Sequence, residues 1–488
     1  MKRILCLFLT ALMLLSAAAC TANNPQPAEG SAVKNDTAEP EPAPAPEPEP
    51  EPAPNDGDKT EPEPVPEPAP NAGDKTEPEP VPDPGEKTPE NPGGPIDLTD
   101  PVQPVYDTEG KKPEVNGYGD FSNLLSAALL SGKQNRNLSP ISVYLALAML
   151  TEGAAGETQA ELLALLGCKS LEELRGVCGA MLATFSIAEE HSTLDIHNSL
   201  WMADEIGGEP VAFKDAFLKS LSDNYGSEAN TVRFGTESAK KQIADWITAH
   251  TRGKIKISPD ALDFDPSTLA VLINTIYLKD GWSETFDPSR NESDTFYAPD
   301  GEMQVDYMVR FDKNGVVRQG DGWTAYRVFL ARVGWVTFVL PDEGVELSKL
   351  LGTPDAIDKL LHAGYEKNFD VSLKIPKFKF QDKMELTPIL QSLGLDHCFN
   401  PSADFSGMSD FSACVDSVLQ ESYIGVDENG VEAAAYTMIS VRTTAFNPVE
   451  LEKLEFHLTR PFFYAIESRD GTVLFIGTVT NPTAAGQN

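Results

Sequence analysis

The sequence predicts an α+β domain with large mixed or antiparallel sheets, and two observations support this class. Apolar residues at helical spacing mark segments 121–130, 141–150, 159–166 and 239–250. Runs rich in β-branched and aromatic residues mark segments 268–278, 326–340, 371–380, 454–457, 462–467 and 473–479. Because these strands do not alternate regularly with helices, a doubly wound parallel sheet is disfavoured.

The composition divides the chain into three parts. Of the 488 residues 39 are proline, and most of the prolines lie before residue 115. We interpret residues 1–20 as an export leader, residues 21–112 as a disordered spacer rich in proline and glutamate, and residues 113–488 as one large folded domain.

The leader begins with Lys2 and Arg3, continues with an apolar run over residues 4–15, and ends in small residues before Cys20. The apolar run is too short for a permanent membrane helix. The small residues before Cys20 resemble a bacterial lipoprotein cleavage box, although Ala17 stands where such boxes usually have leucine. We therefore expect a lipidated Cys20 that anchors the protein to the outer face of the cell membrane. The alternative is plain secretion after cleavage near Ala19.

The spacer is dominated by Glu-Pro and Ala-Pro dipeptides, and the sequence of residues 58–66 recurs at residues 74–82. It has too few apolar side chains to offset the entropy cost of ordering. Proline favours the extended polyproline II conformation, at about 3.1 Å per residue, so the spacer can reach on the order of 250 Å. Such a spacer would hold the folded domain away from a membrane.

Charge and motif content exclude several functions. The formal net charge is −37, whereas binding to nucleic acid or to an anionic membrane surface requires clustered lysine and arginine. The six histidines show no HExxH spacing, and no GxSxG, P-loop or GxGxxG motif occurs. We therefore expect no enzyme, no metal site and no cofactor, and membrane contact only through Cys20.

Four cysteines lie outside the leader, at Cys168, Cys178, Cys398 and Cys414. A zinc site is disfavoured because they form no CxxC pair. Two interpretations remain open, namely buried free thiols, which we favour, and disulfides Cys168–Cys178 or Cys398–Cys414.

The stretch 426–444 has the alternation of a strand that is buried on one side. The side chains of one face are all small or β-branched and uncharged, and they belong to Val431, Ala433, Ala435, Thr437, Ile439 and Val441. Gly430 precedes this alternation and tolerates almost any backbone conformation, so the strand can hinge there. These residues alone favour an ordinary β-strand.

Seven segments of the folded block resemble, in order, the motifs of the serpins, the family of suicide protease inhibitors. The segments are residues 137–142, 148–158, 246–255, 272–282, 375–380, 403–407 and 460–482. The resemblance implies the serpin fold, with large mixed or antiparallel sheets, about eight or nine helices and an exposed reactive loop.

The resemblance changes the interpretation of the stretch after residue 426. Residues 428–435 are similar to the serpin hinge, so the family predicts an exposed loop that becomes a strand after a protease cuts it. The hinge residues are Glu428, Gly430, Val431, Glu432, Ala433, Ala434 and Ala435. The inward-facing hinge residues are small and uncharged, so their burial costs little, whereas a buried charge would cost several kcal/mol or more.

The family's loop length predicts the bond that a protease attacks. Counting 17 residues from Glu428 gives the bond between Thr444 and Ala445. A small uncharged residue before the bond suits an elastase-like serine protease. The alternative is the bond between Arg442 and Thr443, which would suit trypsin-like enzymes.

Two further groups match positions that control strand insertion in the family. Ser139, Ser142 and Asn274 match the shutter, the polar cluster beneath the point where the strands part, and Gln420 stands where the family often has histidine. For Ser139 the alternative interpretation is a helix cap before Pro140. Lys377 and Glu428 match a salt bridge at the top of the sheet.

The sequence therefore predicts a monomeric protease inhibitor outside the cell, with a target serine protease as its partner. The alternative is a non-inhibitory protein of the same fold that acts as a binding or structural module.

Overall fold

A computed structural model describes residues 115–189, 191–431 and 451–483, together with the backbone of residues 5–10. Several predictions lie outside the described residues. They concern the spacer and the positions Cys20, Glu432, Ala433, Ala434, Ala435, Arg442, Thr443, Thr444 and Ala445.

The described residues form nine α-helices, in agreement with the predicted number. The helices are α1 Tyr118–Leu129, α2 Pro140–Gly153, α3 Gly156–Leu165, α4 Leu171–Thr184, α5 Asp215–Tyr225, α6 Glu237–His250, α7 Leu347–Leu350, α8 Ala356–His362 and α9 Thr387–Ser392. Side-chain caps begin two of them, because the hydroxyls of Ser170 and Thr236 accept hydrogen bonds from backbone N–H groups of α4 and α6.

The strands vary in length from 2 to 20 residues. They are β1 Leu5–Thr10, β2 Arg136–Leu138, β3 Ile187–Ala188, β4 Thr193–Ala203, β5 Glu205–Ile206, β6 Glu209–Pro210, β7 Glu228–Val232, β8 Ala270–Gly281, β9 Glu292–Ala298, β10 Gly301–Gly320, β11 Trp323–Phe329, β12 Gly334–Pro341, β13 Tyr365–Pro376, β14 Phe378–Glu385, β15 Ala413–Asp427, β16 Gly430–Val431, β17 Lys453–His457, β18 Phe462–Ser468 and β19 Val473–Val479.

Two large sheets organise these strands and confirm the predicted α+β class. Sheet A has the order β1-β15-β16-β8-β4-β3, with β14 beside β15 and β7 beside β4. Sheet B has the order β17-β13-β10-β11-β12-β18-β19-β2, with β9 beside β10. Helix α2 is buried at every residue and packs against both β8 and β19. This helix therefore fills the core between the sheets.

Two predicted strands are divided in the structure. Segment 326–340 is the end of β11, a turn and β12, which pair as an antiparallel hairpin. A continuous apolar run does not distinguish one long buried strand from such a hairpin. Segment 371–380 is interrupted at Lys377, because β13 pairs within sheet B while β14 pairs within sheet A. Lys377 thus lies where the chain passes from one sheet to the other.

A buried carboxylate joins three helices beneath sheet A. The side chain of Glu152 in α2 is 1% exposed and pairs with the Arg175 guanidinium at 2.8 and 2.6 Å. It also accepts hydrogen bonds from Ser220 Oγ at 2.8 Å and from the Tyr225 hydroxyl at 3.1 Å. All these donors lie on α4 and α5, so the carboxylate links both helices to α2.

We predict that Glu152→Gln lowers the stability of the intact protein by about 2 kcal/mol, because the neutral amide leaves the Arg175 guanidinium without its carboxylate. The measurement is the midpoint of chemical denaturation. The matched control is Glu302→Gln at an exposed position of β10, which should change stability by less than about 0.5 kcal/mol. Equal midpoints for the two variants would contradict the structural role of Glu152.

Candidate functional site

The predicted hinge begins inside sheet A. Gly430 and Val431 form β16, which pairs antiparallel with β15 through Val426 and Asp427 and with β8 through Asp280 and Gly281. Val431 is 2% exposed. The expectation that residues 428–435 form an exposed loop is therefore wrong for Gly430 and Val431, which are small enough to pack between the two strands, whereas residues 428 and 429 form a partly exposed turn.

Gly430 is sterically required at this position. Its φ is 154°, and a Cβ atom there would lie 2.1 Å from the carbonyl oxygen of Asp280. The close approach of the β8 backbone therefore leaves no room for a side chain.

Trp282 fixes the chain that precedes β16. Its indole Nε1 donates to the carbonyl oxygen of Asp427 at 2.7 Å, and its backbone N–H donates to that of Asn429 at 3.1 Å. Its side chain is fully buried. The turn at residues 427–429 is therefore held against the end of β8, which determines where β16 begins.

A salt bridge closes the top of this arrangement. Lys377 Nζ lies 3.1 Å from Glu428 Oε1, and the Asn291 amide donates to the same carboxylate. Burial by itself raises the pKa of Glu428, but hydrogen bonds from its own backbone, Asn291 and Lys377 outweigh burial and lower it. The structure thus brings together the two residues that the sequence paired, and adds Asn291, which no sequence motif indicated.

Ser139 and Gln420 face each other beneath sheet A. Gln420 Oε1 accepts from the Ser139 backbone N–H at 3.2 Å, and Gln420 Nε2 donates to the Ser139 carbonyl at 2.9 Å. Ser139 Oγ donates to the carbonyl of Leu474 at 2.8 Å and makes no cap hydrogen bond to α2. The side chain of Ser139 therefore links α2 to sheet B, and the interpretation as a side-chain cap is wrong.

The other two predicted shutter residues do not join this pair. Asn274 Nδ2 donates to Asn198 Oδ1 at 2.5 Å, and the Ser142 hydroxyl is buried without a hydrogen-bond partner among the described residues. Asn198 lies directly opposite Asn274 on β4. Only the pairing of β4 with β8 reveals this contact, since the two asparagines are 76 residues apart.

Below β16 the strands β8 and β15 are parted, and we name this space the insertion gap. Two small cavities of about 80 and 30 Å³ lie along it, lined by residues 273–278 of β8 and residues 419–425 of β15. No ladder joins β8 directly to β15 within the described part of the chain. The facing edges of these strands therefore have backbone groups available for a further strand.

The lower end of the insertion gap contains β1. Residues 8–10 pair parallel with residues 271–273 of β8, and residues 5–10 pair parallel with β15 up to Leu419. These pairings occupy the edge of β8 at residues 271–273 and the edge of β15 at residues 413–419.

One carboxylate lies beside the insertion gap. Glu421 borders both cavities, and burial raises its pKa, an effect that Lys383 only partly opposes. The side chain of Glu421 therefore becomes protonated, and neutral, at a higher pH than the side chain of an exposed glutamate.

The remaining expectations about chemistry concern cysteines, metals and membranes. Cys168, Cys178, Cys398 and Cys414 are all buried and form no disulfide with one another, as the favoured interpretation predicted. Over residues 115–189, 191–431 and 451–483, no three His, Cys, Asp or Glu side chains form a metal-binding group. Among the described helices, none is long and apolar enough to cross a membrane.

Comparison with known proteins agrees with this geometry. The profile of the family described as "Serpin (serine protease inhibitor)" matches residues 117–482. Serpin-Z2B of Triticum aestivum is 30% identical over 395 residues, which covers 74% of this chain and 94% of that protein. A serpin-like protein of Thermococcus kodakarensis is 30% identical over 381 residues, which covers 76% of this chain and 86% of the relative.

Solved structures show the same fold. The native state of tengpin, a thermophilic serpin, superposes with a TM-score of 0.65 at 28% identity and covers 76% of this chain and 96% of its own. Thyroxine-binding globulin, solved in complex with thyroxine, superposes with a TM-score of 0.62 at 24% identity over 75% of this chain and 99% of its own. The family profile and the plant and archaeal relatives agree over the whole folded block, and the chain therefore belongs to the serpin family.

Proposed function

We propose that this protein inhibits serine proteases as a suicide substrate. A protease attacks the loop that follows β16 and forms an acyl-ester with it. The cut loop then enters sheet A as a strand between β8 and β15, which carries the bound protease away and distorts its active site before the ester is hydrolysed.

The observation that supports this proposal most strongly is the position of β16. Its two residues already pair with both β8 and β15, and the insertion gap continues directly below them. A loop that follows Val431 therefore needs only to extend an existing strand. A full strand would add roughly a dozen backbone hydrogen bonds, worth on the order of 10 kcal/mol in total.

The residues that would enter the gap after Val431 suit burial. The inward positions after Val431 are Ala433, Ala435, Thr437, Ile439 and Val441, and none is charged or proline. The non-inhibitory alternative predicts no such restriction, because a loop that never inserts has no reason to keep one face small and uncharged.

For the target we propose an elastase-like protease and cleavage between Thr444 and Ala445. A small residue before the cut bond fits a shallow specificity pocket. Cleavage between Arg442 and Thr443, with a trypsin-like target, is the alternative.

For location we propose export, with the folded domain outside the cell and anchored through a lipidated Cys20 or released. Removal of residues 1–20 also removes β1 from the insertion gap. The exported protein would then have the whole length of the gap free for the loop.

We predict that Val431→Arg abolishes the covalent complex with elastase while cleavage of the loop continues. A charge at a position that is 2% exposed opposes burial of the hinge, so the protease hydrolyses the ester before insertion. The measurement is the band of the complex on a denaturing gel. The matched control is Val431→Thr, which should keep the complex, and an undiminished band for Val431→Arg would contradict the proposal.

We predict that cleavage of the loop raises the melting temperature of the protein by on the order of 10 °C or more, because the added strand contributes new hydrogen bonds. Calorimetry of intact and cleaved protein measures the change. If cleaved wild type melts no higher than intact wild type, the non-inhibitory alternative is favoured.

We predict that Thr444→Arg moves inhibition from elastase-like to trypsin-like proteases. Mass spectrometry of the cleaved loop identifies the bond, and Thr443→Arg serves as the control that places the same charge one residue earlier. Cleavage of the wild type after Arg442 instead of Thr444 would establish the alternative bond.

A further inference from the structure

An open groove lies on sheet B near the end of β8, away from the insertion gap. Its volume is about 580 Å³, within the range of small-molecule sites in proteins. Strands β10 and β11 form its floor, and Ser283 and Glu284 border it just after β8. The protease-inhibitor mechanism gives no role to this groove.

Two arginines in the groove form no ion pair within the described residues, although the negative charges of Glu467 and Glu366 act on Arg318. Arg318 is 8% exposed, and its Nε atom is buried without a hydrogen-bond partner. Arg327 lies on the neighbouring strand with its guanidinium 4.9 Å from the centre of the Trp335 ring, and its Nε is likewise buried without a partner. Within the described residues, neither guanidinium forms an ion pair, although the chain has 75 acidic residues.

The arginines also affect each other. Burial lowers the pKa of Arg318, the positive charge of Arg327 lowers it further, and the negative charges of Glu467 and Glu366 offset these effects only in part. Two adjacent cations in a partly buried site cost free energy unless an anion binds them. The one polar contact of the Arg318 guanidinium is to a neutral group, the carbonyl of Leu360 at 3.1 Å, among the described residues.

Two of the nearby carboxylates, those of Asp312 and Glu467, form their hydrogen bonds with other residues. Asp312 pairs with Arg310 at 2.6 Å and accepts from the Tyr326 hydroxyl at 2.9 Å. Glu467 is fully buried and accepts from Trp335 and Thr337. Glu366 lies opposite Arg318 on β13 and lines the groove, and it acts on Arg318 through its charge and not through a hydrogen bond among those described.

Apolar side chains border the same groove. Phe329 is 56% exposed, Val316 is 49% exposed and Phe311 is 47% exposed. Phe329 and Val316 lie two residues from Arg327 and Arg318 on their strands, on the same faces as these arginines. Large exposed apolar side chains therefore lie beside two cations. Such a surface favours a ligand that has both an anionic group and an apolar part.

We propose that this groove binds a small amphipathic anion, a carboxylate on an aromatic or branched apolar body. The carboxylate would lie between the guanidiniums of Arg318 and Arg327, which offer planar N–H donors suited to bidentate binding. The apolar body would cover Phe329, Val316 and Phe311.

The test is calorimetric titration of the full chain with biphenyl-4-carboxylate, with the neutral biphenyl-4-carboxamide as the matched ligand. The carboxylate should bind at least about tenfold more tightly than the amide, because only the carboxylate forms charge-assisted hydrogen bonds. Equal affinity of the two compounds, or no binding of either, would overturn the proposal.

Protein variants locate the binding. Arg327→Gln should weaken carboxylate binding about tenfold or more and leave amide binding unchanged. The matched control is Arg332→Gln, which removes the same charge from an arginine that pairs with Glu189 outside the groove, and this variant should bind like wild type. If both variants weaken binding equally, the effect is one of overall charge and the groove is not the site. Since the readout is binding, it is independent of protease inhibition.

Discussion

The structure depends on one steric and hydrogen-bonding constraint, the fit of two residues between strands that are otherwise parted. β16 pairs on both sides, and Gly430 can lie there only because it has no Cβ atom. Trp282 holds the preceding turn through the carbonyls of Asp427 and Asn429. These contacts fix the start of a strand in sheet A without supplying the rest of that strand.

Polar contacts beneath and above sheet A determine which parts of the sheet stay together when a strand enters between β8 and β15. Gln420 on β15 is bound to the backbone of Ser139, and Asn274 on β8 is bound to Asn198 on β4. Each contact lies within one side of the insertion gap, so the two sides are not linked to each other through these residues. Above the gap, the Lys377–Glu428 pair joins the end of β13 to the end of β15. The arrangement is consistent with a sheet that opens between β8 and β15 while each side keeps its own contacts.

Much of this was predictable from the sequence. Helical and strand periodicity gave the fold class, and ordered motifs gave the family and the Lys377–Glu428 pair. What the sequence did not reveal depends on pairing between distant strands. The register of β4 with β8 is what identifies Asn198 as the partner of Asn274. The burial of the Ser142 hydroxyl without a hydrogen-bond partner among the described residues likewise appears only in the folded structure. The division at Lys377 was also missed, because an apolar run does not show that its two halves belong to different sheets. The burial of Val431 depends on the space between β8 and β15, which no local pattern specifies.

The proposed inhibition requires that the edges of β8 and β15 above β1, at residues 274–278 and 420–425, stay free until the loop is cut. Hydrogen exchange with mass spectrometry tests it directly on peptides that cover residues 274–278 and 420–425, before and after cleavage of the loop by elastase. Amides that face the gap should exchange readily in the intact protein and become strongly protected in the cleaved protein. Unchanged exchange in both peptides after complete cleavage would contradict it.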